Sequence, residues 1–113
     1  MKAFNLRQRE AAPRCHEIQI EGELDLAVAE RLWQTLGEAL REHDEVLVDL
    51  AGCEFIDSTG IAMLVRAHNE SEARGRRFVV HSASRQVLRV LEVTGLTENG
   101  LVFESQERAL AGR

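Results

Sequence analysis

The segment that most constrains the fold is the apolar run EVLVDL at residues 45–50. Its apolar side chains lie on both faces of a strand, with Val46, Val48 and Leu50 on one face and Leu47 on the other. A strand that is apolar on both faces is covered on both faces, and this is typical of the middle of a sheet. The sequence therefore predicts a sheet in which residues 45–50 form a central strand, followed by a loop.

A hairpin is predicted to open the chain. Residues 3–9 and 15–21 alternate between apolar and polar side chains, as half-buried strands do. Pro13, the only proline, lies between them and favours a turn. In the second strand the two isoleucines are expected to point inward, and the polar side chains, Glu17 among them, outward.

Helical patterns alternate with the remaining strands. Within residues 22–45 apolar side chains recur every four positions, and Asp25 is placed to cap a helix. A second helix is predicted from Ser58 to Arg74, with residues 51–57 as the loop before it. Strands are further predicted at 76–81 and 101–104, and helices within 82–95 and 105–113.

The predicted order of elements is β-β-α-β-α-β-α-β-α, which indicates an α/β fold. We expect a mixed, mostly parallel sheet of about five strands, opened by a hairpin and packed with about four helices. The length of 113 residues fits one domain spanning residues 1–113.

Composition and charge narrow the classes of function. A net charge of -5 argues against nucleic-acid binding and against binding to anionic membranes. The chain has neither a run of about 20 apolar residues nor the pattern of a signal peptide, so we expect a cytoplasmic protein without membrane insertion. Cys15 and Cys53 lack metal-binding spacing and are expected to be free thiols.

Four residues between the central strand and the next helix stand out: Asp57, Ser58, Thr59 and Gly60. In one interpretation, Asp57 or Ser58 caps the helix and Gly60 allows close packing of its first turn. Catalytic interpretations fit less well, because the G-x-S-x-G nucleophile motif and the glycine-rich phosphate loops are absent. We therefore predict neither catalysis nor a cofactor.

A third interpretation is that Ser58 is modified. A phosphoryl group there would add about -1.5 to -2 charges and three acceptor oxygens. The start of a helix tolerates such a charge, because its dipole and free N–H groups favour anions. A partner bound over the same residues would meet an acidic, hydrated group in place of a small hydroxyl.

Three segments together resemble a known family: EGELDLAVAERL, VLVDLAGCEFIDSTGIAMLVRAH and VVHSASRQVLRVLEVTGL. In this order and spacing they are similar to a STAS domain of the anti-sigma factor antagonist type. The resemblance covers residues 4–110. It implies a domain that binds an anti-sigma factor, itself a serine kinase of the GHKL type, and so releases a sigma factor. It also implies that a PP2C-type phosphatase resets the system and that the domain is not an enzyme.

The resemblance also implies roles for individual residues. Ser58 matches the phosphorylated serine, and Asp57 flanks it. Asp25, at the end of the GELD segment, is the acidic residue expected near the same surface. Thr59 stands where many members have a second serine and provides a second hydroxyl. Gly60 completes the motif. Separately, we expect the domain to be a monomer.

The helix after this motif is expected to present a partner-binding face. If Ile61 and Leu64 point inward, then Ala62, Met63 and Arg66 point outward. Apolar side chains at such exposed positions indicate a binding surface, and methionine adapts readily to partners. The alternative for Met63 is that it covers an edge of the core.

Two other functions remain open at this level. One is a STAS subunit that binds the ATPase of a lipid-transport ABC system. The other is a nucleotide-binding module, which the absence of a glycine-rich phosphate loop disfavours. The intact acid-Ser-Thr-Gly motif favours the anti-sigma factor antagonist.

Overall fold

The computed structural model describes residues 3–113 and contains a five-stranded sheet. Four α-helices and two short 3-10 helices accompany the sheet within these residues. The strands are β1 (Asn5–Ala12), β2 (Cys15–Leu24), β3 (Glu45–Ile56), β4 (Arg77–His81) and β5 (Val102–Phe103). The α-helices are α1 (Ala29–Glu42), α2 (Ser58–Ala73), α3 (Arg85–Val93) and α4 (Gln106–Ala111), and the 3-10 helices are Leu26–Val28 and Leu96–Glu98.

The strands are ordered β1-β2-β3-β4-β5 across the sheet. β1 and β2 form an antiparallel hairpin, and every later pair is parallel. The predicted α/β class, the opening hairpin and the central position of β3 are confirmed. The predicted loop at 51–57 is wrong in part, because β3 continues to Ile56 and pairs along the whole length of β2.

The two faces of the sheet are covered unequally. The front face packs against α1, α2 and α3, with Ile18, Val48 and Val80 among its buried side chains. The apolar cluster on the rear face is smaller, and in it Ala109 of α4 packs near Leu47. The predicted burial of both faces of β3 is therefore confirmed, and the larger core lies on the front.

The predicted outward position of the Glu17 side chain is wrong in part. It does point away from the isoleucines of β2, but it is 0% exposed. Arg9 from β1, His81 from β4 and Gln106 from α4 surround it on the rear face. Burial by itself raises the pKa of the Glu17 carboxyl, but the hydrogen bonds from these three side chains outweigh burial and lower it.

Both cysteines are buried free thiols, as predicted. Burial raises the pKa of Cys15 to about 12, and the neighbouring Glu45 carboxylate adds to the shift. Burial also raises the pKa of Cys53. Because the thiolate is the reactive form, burial disfavours reaction of both thiols.

No helix among residues 3–113 combines the length and the apolar character that crossing a bilayer requires.

Candidate functional site

The ends of β2 and β3 bring two of the predicted site residues to one edge of the sheet. Leu24 pairs with Ile56 in parallel register. Asp25 and Asp57 follow these residues directly, and the backbone N–H of Asp57 donates to the carbonyl oxygen of Leu24 at 3.1 Å. The two acidic residues therefore lie beyond the carboxyl ends of adjacent strands, where sites in α/β sheets form.

Both acidic side chains cap the helical segments that follow them. Asp57 has an extended backbone, and its Oδ1 accepts the backbone N–H of Gly60 at 3.0 Å. Asp25 Oδ1 accepts the N–H of Ala27 at 3.0 Å and so caps the 3-10 helix that precedes α1. The sequence allowed either Asp57 or Ser58 to cap α2, and the structure shows that Asp57 does so. The hydroxyl of Ser58 is therefore not needed as the cap.

Ser58 is the first residue of α2, and it is exposed. Thr59 beside it is only partly exposed. The Ser58 hydroxyl is therefore the more accessible of the two to a modifying enzyme.

Gly60 is buried where α2 starts against the sheet. A Cβ atom at this position would lie 2.8 Å from Cγ1 of Ile56, 2.8 Å from Cγ of Leu24 and 2.9 Å from the carbonyl oxygen of Leu24. Glycine is required here by close approach, as predicted, and this contact holds the first turn of α2 against the ends of β2 and β3.

A line of exposed side chains runs along α2 from the site. Ser58, Ala62 and Arg66 are spaced four residues apart and are all exposed, so they share one side of the helix. The Arg66 guanidinium stacks over the ring of Trp33 at 4.0 Å and pairs with Glu70 at 3.3 Å. The predicted outward positions of Ala62 and Arg66 are confirmed.

The predicted outward position of Met63 is wrong. Its side chain is 8% exposed and belongs to the main core. The buried side of α2 passes through Gly60, Met63, Leu64 and Ala67, because the helix packs against α1 as well as against the sheet. The weak amphipathic pattern of this helix did not show which of its sides meets α1.

Exposed apolar side chains around the site were missed in the sequence. Leu26 is 74% exposed just after Asp25, and Phe55 is 50% exposed two residues before Asp57. Phe55 lines a groove of about 300 Å³ together with Val87 and Val90 of α3. The signal was the position of Phe55 next to Ile56, since alternation along an extended β3 turns one of these side chains outward.

A family model described as "Mlab, STAS domain" matches residues 8–103. The chain belongs to the STAS domain family. The predicted resemblance to a STAS domain is thereby confirmed.

Among curated relatives of this STAS domain is the anti-sigma-F factor antagonist RsfB of Mycobacterium tuberculosis. The two are 30% identical over 96 residues, which cover 84% of this chain and 78% of RsfB. An anti-sigma-B factor antagonist of Staphylococcus epidermidis is 29% identical over 94 residues, covering 81% of this chain and 86% of the relative.

Solved structures of lower identity share the fold. A putative anti-sigma factor antagonist from Thermotoga maritima superposes with a TM-score of 0.86 at 19% identity, covering 95% of this chain and 92% of that one. The antagonist SpoIIAA in its unphosphorylated form gives a TM-score of 0.76 at 22% identity, with 97% and 95% covered. The phosphorylated form of SpoIIAA from Bacillus gives 0.72 at 21% identity, with 97% and 98% covered.

Proposed function

We propose that this STAS domain is an anti-sigma factor antagonist switched by phosphorylation of Ser58. The unmodified domain binds an anti-sigma factor that is a serine kinase of the GHKL type, and the sigma factor is released. The kinase phosphorylates Ser58, the complex dissociates, and a PP2C-type phosphatase restores the domain. The domain acts in the cytoplasm by binding and catalyses no step.

The observation that carries the proposal is the exposed Ser58 at the start of a helix whose capping is done by Asp57. The hydroxyl is available to a kinase without any unfolding. A phosphoryl group on it would lie at the positive end of the helix dipole, so α2 would tolerate the charge. The modification would therefore change the surface and leave the fold intact.

The surroundings of Ser58 support a docking surface. Ala62 continues the exposed line along α2, and Leu26 and Phe55 are exposed beside the two capping residues. Apolar side chains in a polar setting favour protein partners over small charged ligands. A phosphate placed among them would have to be desolvated on binding, which gives the switch its physical basis.

The names of the relatives agree with this proposal. RsfB carries the name anti-sigma-F factor antagonist, and SpoIIAA has been solved both without and with phosphate. The similarity to SpoIIAA supports the view that a fold of this kind can carry a phosphoryl group.

The identity of the partner tests the proposal. Domains carrying Ser58→Ala or Ser58→Asp are used as baits in lysate of the native host, and captured proteins are identified by mass spectrometry. A GHKL-type kinase is expected with the alanine bait and in much lower amount with the aspartate bait. Capture of an ABC transporter ATPase by both baits would contradict the proposal.

That second result would support the alternative function, a STAS subunit that binds the ATPase of a lipid-transport ABC system. The description of the matched family model names Mlab and no anti-sigma factor antagonist, so this candidate is kept. In this case the same surface is a docking site, and the hydroxyl of Ser58 is not a switch.

Ala62→Glu is expected to weaken binding of the kinase by about tenfold or more, because it puts a charge into the centre of the proposed docking surface. Ala62 is exposed, so the substitution is not expected to unfold the domain. Asn99→Glu serves as the control, since it adds the same charge at an exposed position before β5, at the opposite end of the strands from Ser58. Affinities measured by isothermal titration calorimetry should separate the two variants. Equal affinities would place the docking surface elsewhere.

A further inference from the structure

Apart from the site around Ser58, a cluster of ionisable side chains lies on the rear face of the sheet. Glu17 of β2, Asp49 of β3 and His81 of β4 each contribute one potential ligand atom, and these atoms lie within 4.8 Å of one another. Glu17 is 0% exposed, His81 is 2% exposed and Asp49 is half-buried. Burying ionisable groups costs free energy unless they are paired or bind a metal. Three of them on neighbouring strands therefore indicate a role for the cluster.

The two oxygens of Glu17 have different partners. Oε2 is held by the guanidinium of Arg9 at 2.8 Å. Oε1 lies 2.6 Å from Nε2 of His81 and accepts a hydrogen bond from Nε2 of Gln106 at 3.0 Å. Arg9 thus fixes the carboxylate with Oε1 directed at His81, and the hydrogen bond between Glu17 and His81 marks the place that a cation would take.

The carboxylate of Asp49 is less fully engaged. Its Oδ1 accepts the backbone N–H of Ala51 at 2.9 Å. Among residues 3–113, its Oδ2 has only a long contact of 3.4 Å, with Nε2 of Gln19. Asp49 is therefore oriented by the backbone, and one of its oxygens is left available as a ligand.

His81 is oriented from its other ring nitrogen. Its Nδ1 lies 2.7 Å from the hydroxyl of Ser82. Ser82 has φ of 61°, a left-handed conformation that is unfavourable for a residue with a side chain. Histidines that bind metals are usually oriented by such a hydrogen bond to the second nitrogen.

We propose that Glu17, Asp49 and His81 form a binding site for a divalent transition metal ion, with Zn²⁺ as the best match. One imidazole nitrogen and two carboxylate oxygens are ligands that zinc accepts at about 2.0–2.2 Å, whereas Mg²⁺ and Ca²⁺ prefer oxygen alone. The ion takes the place of the proton between Glu17 Oε1 and His81 Nε2, and His81 binds it as the neutral imidazole.

The charge of the cluster favours a cation, and side-chain shifts of an ångström or so would bring the three ligand atoms onto one ion. Two ligand atoms on a tetrahedral zinc ion lie about 3.3 Å apart, as follows from the bond lengths. On binding, the 2.6 Å between Glu17 Oε1 and His81 Nε2 would have to widen, and the separations of up to 4.8 Å within the cluster would have to shorten by up to about 1.5 Å. Two carboxylates outnumber the single guanidinium of Arg9, so a cation is attracted to the cluster.

The test is a titration of the tag-free, chelator-treated domain with Zn²⁺ alone, followed by calorimetry. We expect saturable binding of one ion per chain, and affinity at least about tenfold lower for Asp49→Asn, which removes a ligand at a half-buried position. His81→Gln should have the same effect, with circular dichroism used to confirm that it folds. Absorption of Co²⁺ bound in place of zinc gives a second readout of the same ligands.

His43→Gln is the matched control. His43 stacks on His16 at 4.2 Å between ring centroids, so this pair is the rival site for zinc. The control variant is expected to bind zinc as the unmodified domain does. Absence of saturable binding, unchanged affinity in Asp49→Asn, or loss of binding in His43→Gln would each overturn the proposal. None of these outcomes depends on the kinase partner, so failure here leaves the proposed function untouched.

Discussion

Phosphorylation of Ser58 is expected to lower the affinity for the kinase partner by at least about 100-fold, which corresponds to about 2.7 kcal/mol. The phosphoryl group brings about -1.5 to -2 charges to an exposed position on the same side of α2 as Ala62. The exposed Leu26 and Phe55 add apolar surface next in sequence to the two capping residues. A partner that covers this surface would have to desolvate the phosphate without providing a compensating hydrogen bond or positive charge. Calorimetry with the phosphorylated and unmodified domains measures the difference.

Three variants sharpen this experiment. Ser58→Ala should bind within about threefold of the unmodified domain, since the lost hydroxyl is exposed and worth well under 1 kcal/mol. Ser58→Asp should bind with intermediate affinity, because it supplies one charge where phosphate supplies about two. Thr59→Ala should still be phosphorylated, which would assign the modified hydroxyl to Ser58. Equal affinities of the phosphorylated and unmodified domains would remove the switch.

Gly60→Ala is expected to destabilise the domain by about 2 kcal/mol, and to lower its Tm by about 8 °C. The added Cβ would lie 2.8–2.9 Å from atoms of Ile56 and Leu24, and one of these atoms is a backbone oxygen that cannot rotate away. The start of α2 would have to move off the sheet, and Ser58 would move with it. Thermal unfolding followed by circular dichroism measures the loss.

Gly37→Ala is the control for this substitution. Gly37 lies within α1, and a Cβ there would have Arg41 Nη1 as its nearest neighbour at 3.5 Å, an ordinary contact with a flexible side chain. The same chemical change should therefore stabilise the domain by about 0.5–1 kcal/mol through helix propensity and reduced chain entropy. If both variants shift the Tm in the same direction, the close packing at Gly60 does not limit stability.

The site motif could be found in the sequence because its parts are adjacent. Asp57, Ser58 and Gly60 act within one turn, so capping, exposure and close packing follow from local spacing. The apolar residues beside the motif could not be assigned in this way. Leu26 and Phe55 belong to different strand ends, and only the parallel pairing of β2 with β3 brings these ends together.

The cluster on the rear face of the sheet, in contrast, could not be predicted from the sequence. Glu17, Asp49 and His81 are separated by more than thirty residues from one to the next, and no spacing in the sequence connects them. Pairing of β2 with β3 and of β3 with β4 places them side by side. Long-range contacts of this kind are set by strand order and register, which a local pattern does not contain.

The sequence by itself determined the order of strands and helices, the central place of β3 in the sheet, and the motif with Asp57 and Ser58 between β3 and α2. This was possible because hydrophobic periodicity and turn chemistry are local properties. Only the tertiary structure decided the burial of two side chains that the sequence pattern placed on an outer face. Met63 is buried because α1 lies beside α2, and Glu17 because β1, β4 and α4 surround it. Periodicity shows which way a side chain points from its own element, and burial depends on what other elements lie in that direction.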